Sequence, residues 1–120
     1  MATLSRYTPR PHLGSISSPK FNVLNTALIT APSGYSFRDV LNDDRTFWGR
    51  VVESAVGAHL WNTRDPATRI HYWRDVEEKY EVDFVISRGP HLVGIEVKSG
   101  LKKSEKGLDV FKQRFSHAKQ

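Results

Sequence analysis

Between Glu81 and Lys98 apolar and polar residues alternate with the two-residue period of a β-strand. Val82, Phe84 and Ile86 mark one side of the first stretch, and Val93, Ile95 and Val97 mark one side of the second. Ser87, Arg88, Gly89 and Pro90 carry turn chemistry between them, so the segment predicts a β-hairpin. Centring the turn between Gly89 and Pro90 sets Asp83 opposite Glu96 and Glu81 opposite Lys98. The expected sheet then has an apolar face and a face carrying Asp83, Glu96, Lys98 and the small Gly94.

Other periods frame this hairpin. From about Arg45 to Asn62, Phe47, Val51 and Ala55 join Trp48, Val52 and Val56 in a broad helical stripe, with Asp43 or Asp44 placed to cap it. Ile70 to Arg74, rich in β-formers, predicts a strand, and Asp75 to Lys79 a charged turn. Leu108, Phe111 and Phe115 stripe a last helix from roughly Ser104 to Ala118, with Ser104 as its N-cap. Upstream, Phe21 to Leu24 suits a short strand, Thr26 to Thr30 a helical turn and Phe37 to Leu41 a short helix, with a break at Pro32-Ser33-Gly34. Residues 1–20, with Pro9, Pro11 and Pro19, read as a flexible leader, and 21–120 as one domain. The expected class is α/β: a small mixed or antiparallel sheet of three or four strands flanked by helices.

Composition narrows the partners. The net charge of +5 suits an anionic partner, DNA first, and the excess concentrates from Lys98 to Lys119, where six Lys and one Arg meet only Glu105 and Asp109. A solubilising basic tail accounts for the same numbers. The absence of cysteine removes disulfide scaffolds and thiolate zinc sites. No apolar run reaches the roughly 20 residues of a membrane span, and no secretory signal opens the chain. The expected location is the cytoplasm.

Two opposed carboxylates, with Cβ atoms about 4.5–5.5 Å apart, repel unless something compensates them. A Mg²⁺ or Mn²⁺ ion at Asp83 and Glu96 would do so, because hard cations favour carboxylate oxygen. Glu53 can add a ligand from the first helix, and Lys98 points at the same space, where it can orient a water or stabilise a charged transition state. Each has a plainer reading: solvated carboxylates for Asp83 and Glu96, a cross-strand ion pair with Glu81 for Lys98, and a helix-edge position for Glu53. His59, His71, His91 and His117 lack ligand spacing, and Trp48, Trp61, Tyr72 and Trp73 read chiefly as core.

The ordered set of helix glutamate, strand aspartate and Glu-x-Lys resembles the PD-(D/E)xK nucleases, the restriction-endonuclease-like superfamily. By that resemblance Asp83, Glu96, Lys98 and Glu53 are catalytic, Asp83, Glu96 and Glu53 bind Mg²⁺, and the substrate is DNA. Ser18-Pro-Lys-Phe-Asn-Val-Leu-Asn-Thr-Ala-Leu28, Phe47-Trp-Gly-Arg-Val-Val-Glu-Ser-Ala-Val56, Tyr72-Trp-Arg74, Glu81-Val-Asp-Phe-Val85 and Ile95-Glu-Val-Lys-Ser99 are similar to the uncharacterised C-terminal domain of prokaryotic AAA+-type ATPases. The chain departs from that group by lacking a Gly-x-x-x-x-Gly-Lys-[Ser/Thr] loop, so it is not expected to be an ATPase by itself. The group ordinarily adds a strand after the last helix. The expected sheet therefore lacks its final strand and offers an edge to a second copy. The alternative function is a catalytically silent interaction or DNA-binding module left from the ATPase tail.

Overall fold

A computed structural model of the chain describes residues 2–8, 20–22, 45–98 and 104–119. The element order is β1 (Ala2–Leu4), β2 (Lys20–Asn22), α1 (Arg45–Thr63), β3 (Arg69–Arg74), β4 (Glu81–Arg88), β5 (His91–Ile95) and α2 (Lys106–Arg114). The central sheet is antiparallel in the order β3-β4-β5, and β1 and β2 form a separate antiparallel pair. This is the α/β mixture of a small sheet and flanking helices that the periodicities predict. The readings for 26–30, 37–41 and the caps at Asp43 and Asp44 lie outside the described residues.

The β4–β5 hairpin turns through Gly89 and Pro90. Gly89 has φ +55°, and proline fixes a negative φ after it, the sign pattern of a type II′ turn. The expected register holds from Arg88↔His91 to Phe84↔Ile95. The strand β5 then ends, one residue short of the expected Asp83–Glu96 pair.

A bulge on the other side of β4 changes which face its residues take. The β3–β4 ladder runs through His71↔Val85 and resumes at Trp73↔Val82, so Asp83 and Phe84 together oppose Tyr72. Such an extra residue bends the strand and re-aims its side chains. Val82 thereby joins Val85, Trp73 and Leu92 on one face, under Phe111, Phe115 and Ala118 from α2 and the turn after it. Phe84, Ile70 and Tyr72 occupy the other face with Leu4, packed by Val56, Leu60 and Trp61 of α1 and by Ile95 and Val97. The expectation of one apolar and one charged face is thus corrected: both faces are covered, and Val82 and Phe84 lie on opposite ones. Gly94 is corrected too. A Cβ there would sit 3.0 Å from the Phe111 ring and 3.3 Å from Leu108, so its smallness admits α2 rather than making room beside carboxylates.

α1 has no acidic residue in its first turn and no basic residue in its last, so packing rather than dipole compensation holds it. Beyond it, Asp65 Oδ1 accepts from Ala67 N–H and the Thr68 hydroxyl, and the chain turns into β3. α2 begins two residues later than expected, after Glu105, with no side-chain cap bond. Asp109 in its first turn and Lys112 and Arg114 in its last suit the helix dipole. Tyr72 and Trp73 fill the two cores as expected, whereas Trp48 and Trp61 are only half-buried.

Residues 2–8, read above as leader, are packed in part. Leu4 is buried, and the segment lies along the outer edge of β3, where Tyr72 N–H donates to Ser5 O and Tyr7 N–H to Tyr72 O. At the opposite edge Lys119 meets β5 in parallel: its N–H donates to Leu92 O, and Gly94 N–H donates to its carbonyl. Both outer edges are thereby partly shielded.

Candidate functional site

The bulge delivers Asp83 to the α1 side of the sheet. Its Oδ2 accepts the Val97 N–H at 2.8 Å. An undisturbed ladder would set Val97 against Val82, so the carboxylate stands in for a backbone acceptor just past the end of β5. This bond ties the Glu96-Val97-Lys98 segment to Asp83.

Around Asp83 the partners differ from the expected ones. Lys20 Nζ, from β2, lies 2.5 Å from Glu53 Oε1 on α1, 2.9 Å from Glu81 Oε1 and 3.9 Å from Asp83 Oδ1. Glu81 Oε2 also accepts from Arg74 Nε at 3.1 Å. Glu81 is therefore paired with Lys20 and Arg74, not with Lys98. Lys98 instead pairs with its near neighbour Glu96 through Oε1. Glu96 Oε2 is buried and finds no hydrogen-bond partner among the described residues.

Electrostatics follow from this packing. Burial pushes the Asp83 carboxyl up to about 6, helped by the nearby charges of Glu53 and Glu81 and opposed by the Val97 bond and Lys20. Burial also disfavours charge on Lys20, but its contacts to Glu53 and Glu81 outweigh that and raise its pKa. Burial raises Glu81, while Lys20 and Arg74 more than offset it and leave the carboxyl below its ordinary value.

Two groups emerge. Glu53, Glu81 and Asp83 surround the Lys20 ammonium; Glu96 and Lys98 pair beside them. Of the sequence-derived candidates, Asp83 and Glu53 share that ammonium, and Asp83 is joined to the Glu96–Lys98 segment through Val97. Among the described residues no three His, Asp or Glu side chains are set to ligate one metal ion. Lys20, Glu81 and Arg74 are members that sequence reasoning missed. Glu81 was one turn of the register away from notice, since its expected partner was Lys98. Lys20 carried no signal beyond being a lone cation before a short apolar run.

No described helix is long and apolar enough to cross a membrane. Nothing among curated proteins or solved structures matches the chain. A family model described as a domain of unknown function, DUF4143, matches residues 48–120, a span holding all but the first three residues of α1, the whole central sheet and α2, and the chain belongs to that family.

Proposed function

We propose that this is a nuclease-like domain of the PD-(D/E)xK kind, acting on DNA with Mg²⁺ or Mn²⁺, or docking to it. The observation that carries the reading is the Asp83–Val97 hydrogen bond, which joins the aspartate to Glu96 and Lys98 while Glu53 reaches the same corner from α1. Asp83, Glu96 and Glu53 are the residues that would hold the ion. The donor chemistry suits it: all are hard carboxylate oxygens, and Glu96 Oε2 is buried without a partner among the described residues. The arrangement does not suit it: no three described acids are set to ligate one ion, and the Lys20 ammonium stands among those nearest Asp83. A bound ion would polarise a phosphodiester and acidify a water. Lys98, more exposed than Glu96, would supply positive charge to the developing phosphorane.

Docking has its own support. Lys106, Lys112, Arg114 and Lys119 are all exposed along and just beyond α2, and phosphate contacts need no more than that. The reading is tested by incubating plasmid and single-stranded DNA with Mg²⁺ or Mn²⁺. Cleavage that Asp83→Ala and Lys98→Ala both abolish is expected; no cleavage, or cleavage that survives both changes, refutes the catalytic form.

A second reading is favoured by the Lys20 contacts. The domain is then a silent interaction or DNA-binding module, of the kind expected at the C-terminal end of an AAA+-type ATPase, with Glu53 and Glu81 paired internally to Lys20 and Arg74. DNA binding that ignores EDTA and falls steeply with salt supports it. Self-association without DNA binding, measured by sedimentation, supports a protein partner instead.

A further inference from the structure

Three guanidiniums gather where α1 hands over to the sheet, at the opposite end of β4 from Asp83. Arg64 follows α1 and holds its guanidinium over the Trp61 ring at 3.7 Å, with a hydrogen bond to the Trp61 carbonyl. Arg69, opening β3, donates to Pro66 O at 3.3 Å, and Arg88, closing β4, reaches Asp65 Oδ2 at 3.3 Å. The register keeps these strand ends together by setting Arg69 against Ser87. All three arginines are exposed, and among the described residues Asp65 is the one carboxylate paired with any of them. Three positive charges against one negative leave a net +2 at this corner. Each guanidinium spends one described polar contact on the turn, a small part of what its fork can donate. Beside them opens a hollow of about 320 Å³ lined by Trp61, Asn62, Arg64, Asp65 and Pro66.

We infer that this corner is a contact surface for single-stranded nucleic acid: Arg69 and Arg88 take phosphates, and an unpaired base stacks against the Arg64 guanidinium that Trp61 backs. The inference rests on the docking form of the reading above and deepens it, but it uses neither α2 nor the acids around Asp83. Charge alone would suit any polyanion. The stack is what selects, because bases pile on arginine planes as they do on aromatic rings. Bases inside a duplex are already stacked on one another, and an acidic side chain has no ring to offer. Trp61 makes a firm backing, since it also packs against the core of Leu4, Ile70, Tyr72 and Phe84.

The test titrates the full chain with an oligothymidylate of roughly ten nucleotides. Affinity is read by fluorescence anisotropy across a salt series, and the Trp61 indole N–H and arginine Nε–H resonances are followed by NMR. Arg64→Met, Arg69→Gln and Arg88→Gln are compared with Lys112→Gln/Arg114→Gln on α2, each checked for folding by circular dichroism. In the wild type the Trp61 and Arg64 resonances should move, which decides the matter even if a variant does not fold. Arg64→Met should weaken binding at least about five-fold, the lower end for a lost stacked base. Arg69→Gln and Arg88→Gln should each reduce the salt slope by about 0.7. A DNA hairpin duplex and a polyglutamate peptide should bind more weakly and leave the Trp61 resonance in place. An equal response to either overturns the single-strand assignment. Binding lost in the α2 variant but kept in all three arginine variants, with Trp61 unmoved, overturns this surface and leaves docking through α2 standing. Absence of DNA binding at low salt overturns both.

Discussion

Replacing Asp83 by Asn should stabilise the domain at neutral pH and do nothing for it in acid. The carboxyl is pushed up to about 6 in the fold, from 3.8 in an unstructured chain, chiefly by burial. Between those values the folded chain holds a proton that the unfolded chain has released. Stability from this group is therefore full below pH 3.8 and is lost as the pH rises through 6. Two pKa units correspond to about 3 kcal/mol, and relaxation around a group still in part exposed brings the expected loss nearer 1–2 kcal/mol. Asn keeps an oxygen to accept the Val97 N–H and carries no charge. Thermal unfolding in EDTA, from pH 3.5 to 8, should show wild type and variant together at the acid end. At pH 7.5 the variant should unfold roughly 4–8 °C higher. A difference that does not change with pH, or a variant less stable at pH 7.5, refutes the buried-charge account.

Two further outcomes follow from packing. Gly107→Ala should cost about 2 kcal/mol or more in urea unfolding, because its Cβ would land against the Glu81 carbonyl, backbone that cannot swing aside. Phe111→Ala should cost about 3–5 kcal/mol by the same measure, since the ring is fully buried against Trp73 and Phe115; a loss under 1 kcal/mol would mean that α2 does not pack as described.

Much of the fold was legible because local rules and tertiary packing agreed. The hairpin register was readable from Gly89-Pro90 and the flanking alternation, and α1 from its apolar stripe, ending within one residue of expectation. The faces of β4 were not, because a bulge opposite Tyr72 leaves no mark in a two-residue period: Val82-Asp83-Phe84 reads as clean alternation while Asp83 and Phe84 turn to the same side. The packing of Leu4 was hidden for another reason. Three residues of strand are too few to show a period, and the burial comes from Ile70, Tyr72 and Phe84, far along the chain. At the site, sequence chemistry proposed Asp83, Glu96, Lys98 and Glu53; Lys98 pairs with Glu96, whereas Glu53 and Asp83 meet Lys20, whose approach comes with β2 and shows in no local period.

The bulge also separates the two things Asp83 does. In a regular ladder its side chain would turn toward α2, among Val85, Leu92 and Phe111, where a carboxylate would have no partner. Two residues opposite Tyr72 turn it toward Glu53 and Lys20 instead, and its oxygen then repairs the ladder by accepting the Val97 N–H. That repair needs an acceptor, which an amide supplies as well as a carboxylate. The charge is thus surplus to the hydrogen bond, and at neutral pH it costs stability. What a buried negative charge beside Glu53 and Glu81 does serve is a cation: Lys20 in the folded chain, and a divalent ion in the proposed reaction. Asparagine would hold the strand equally well, so the charge of Asp83 is used, among the described residues, only by its approach to Lys20 and, in the proposed reaction, by an ion.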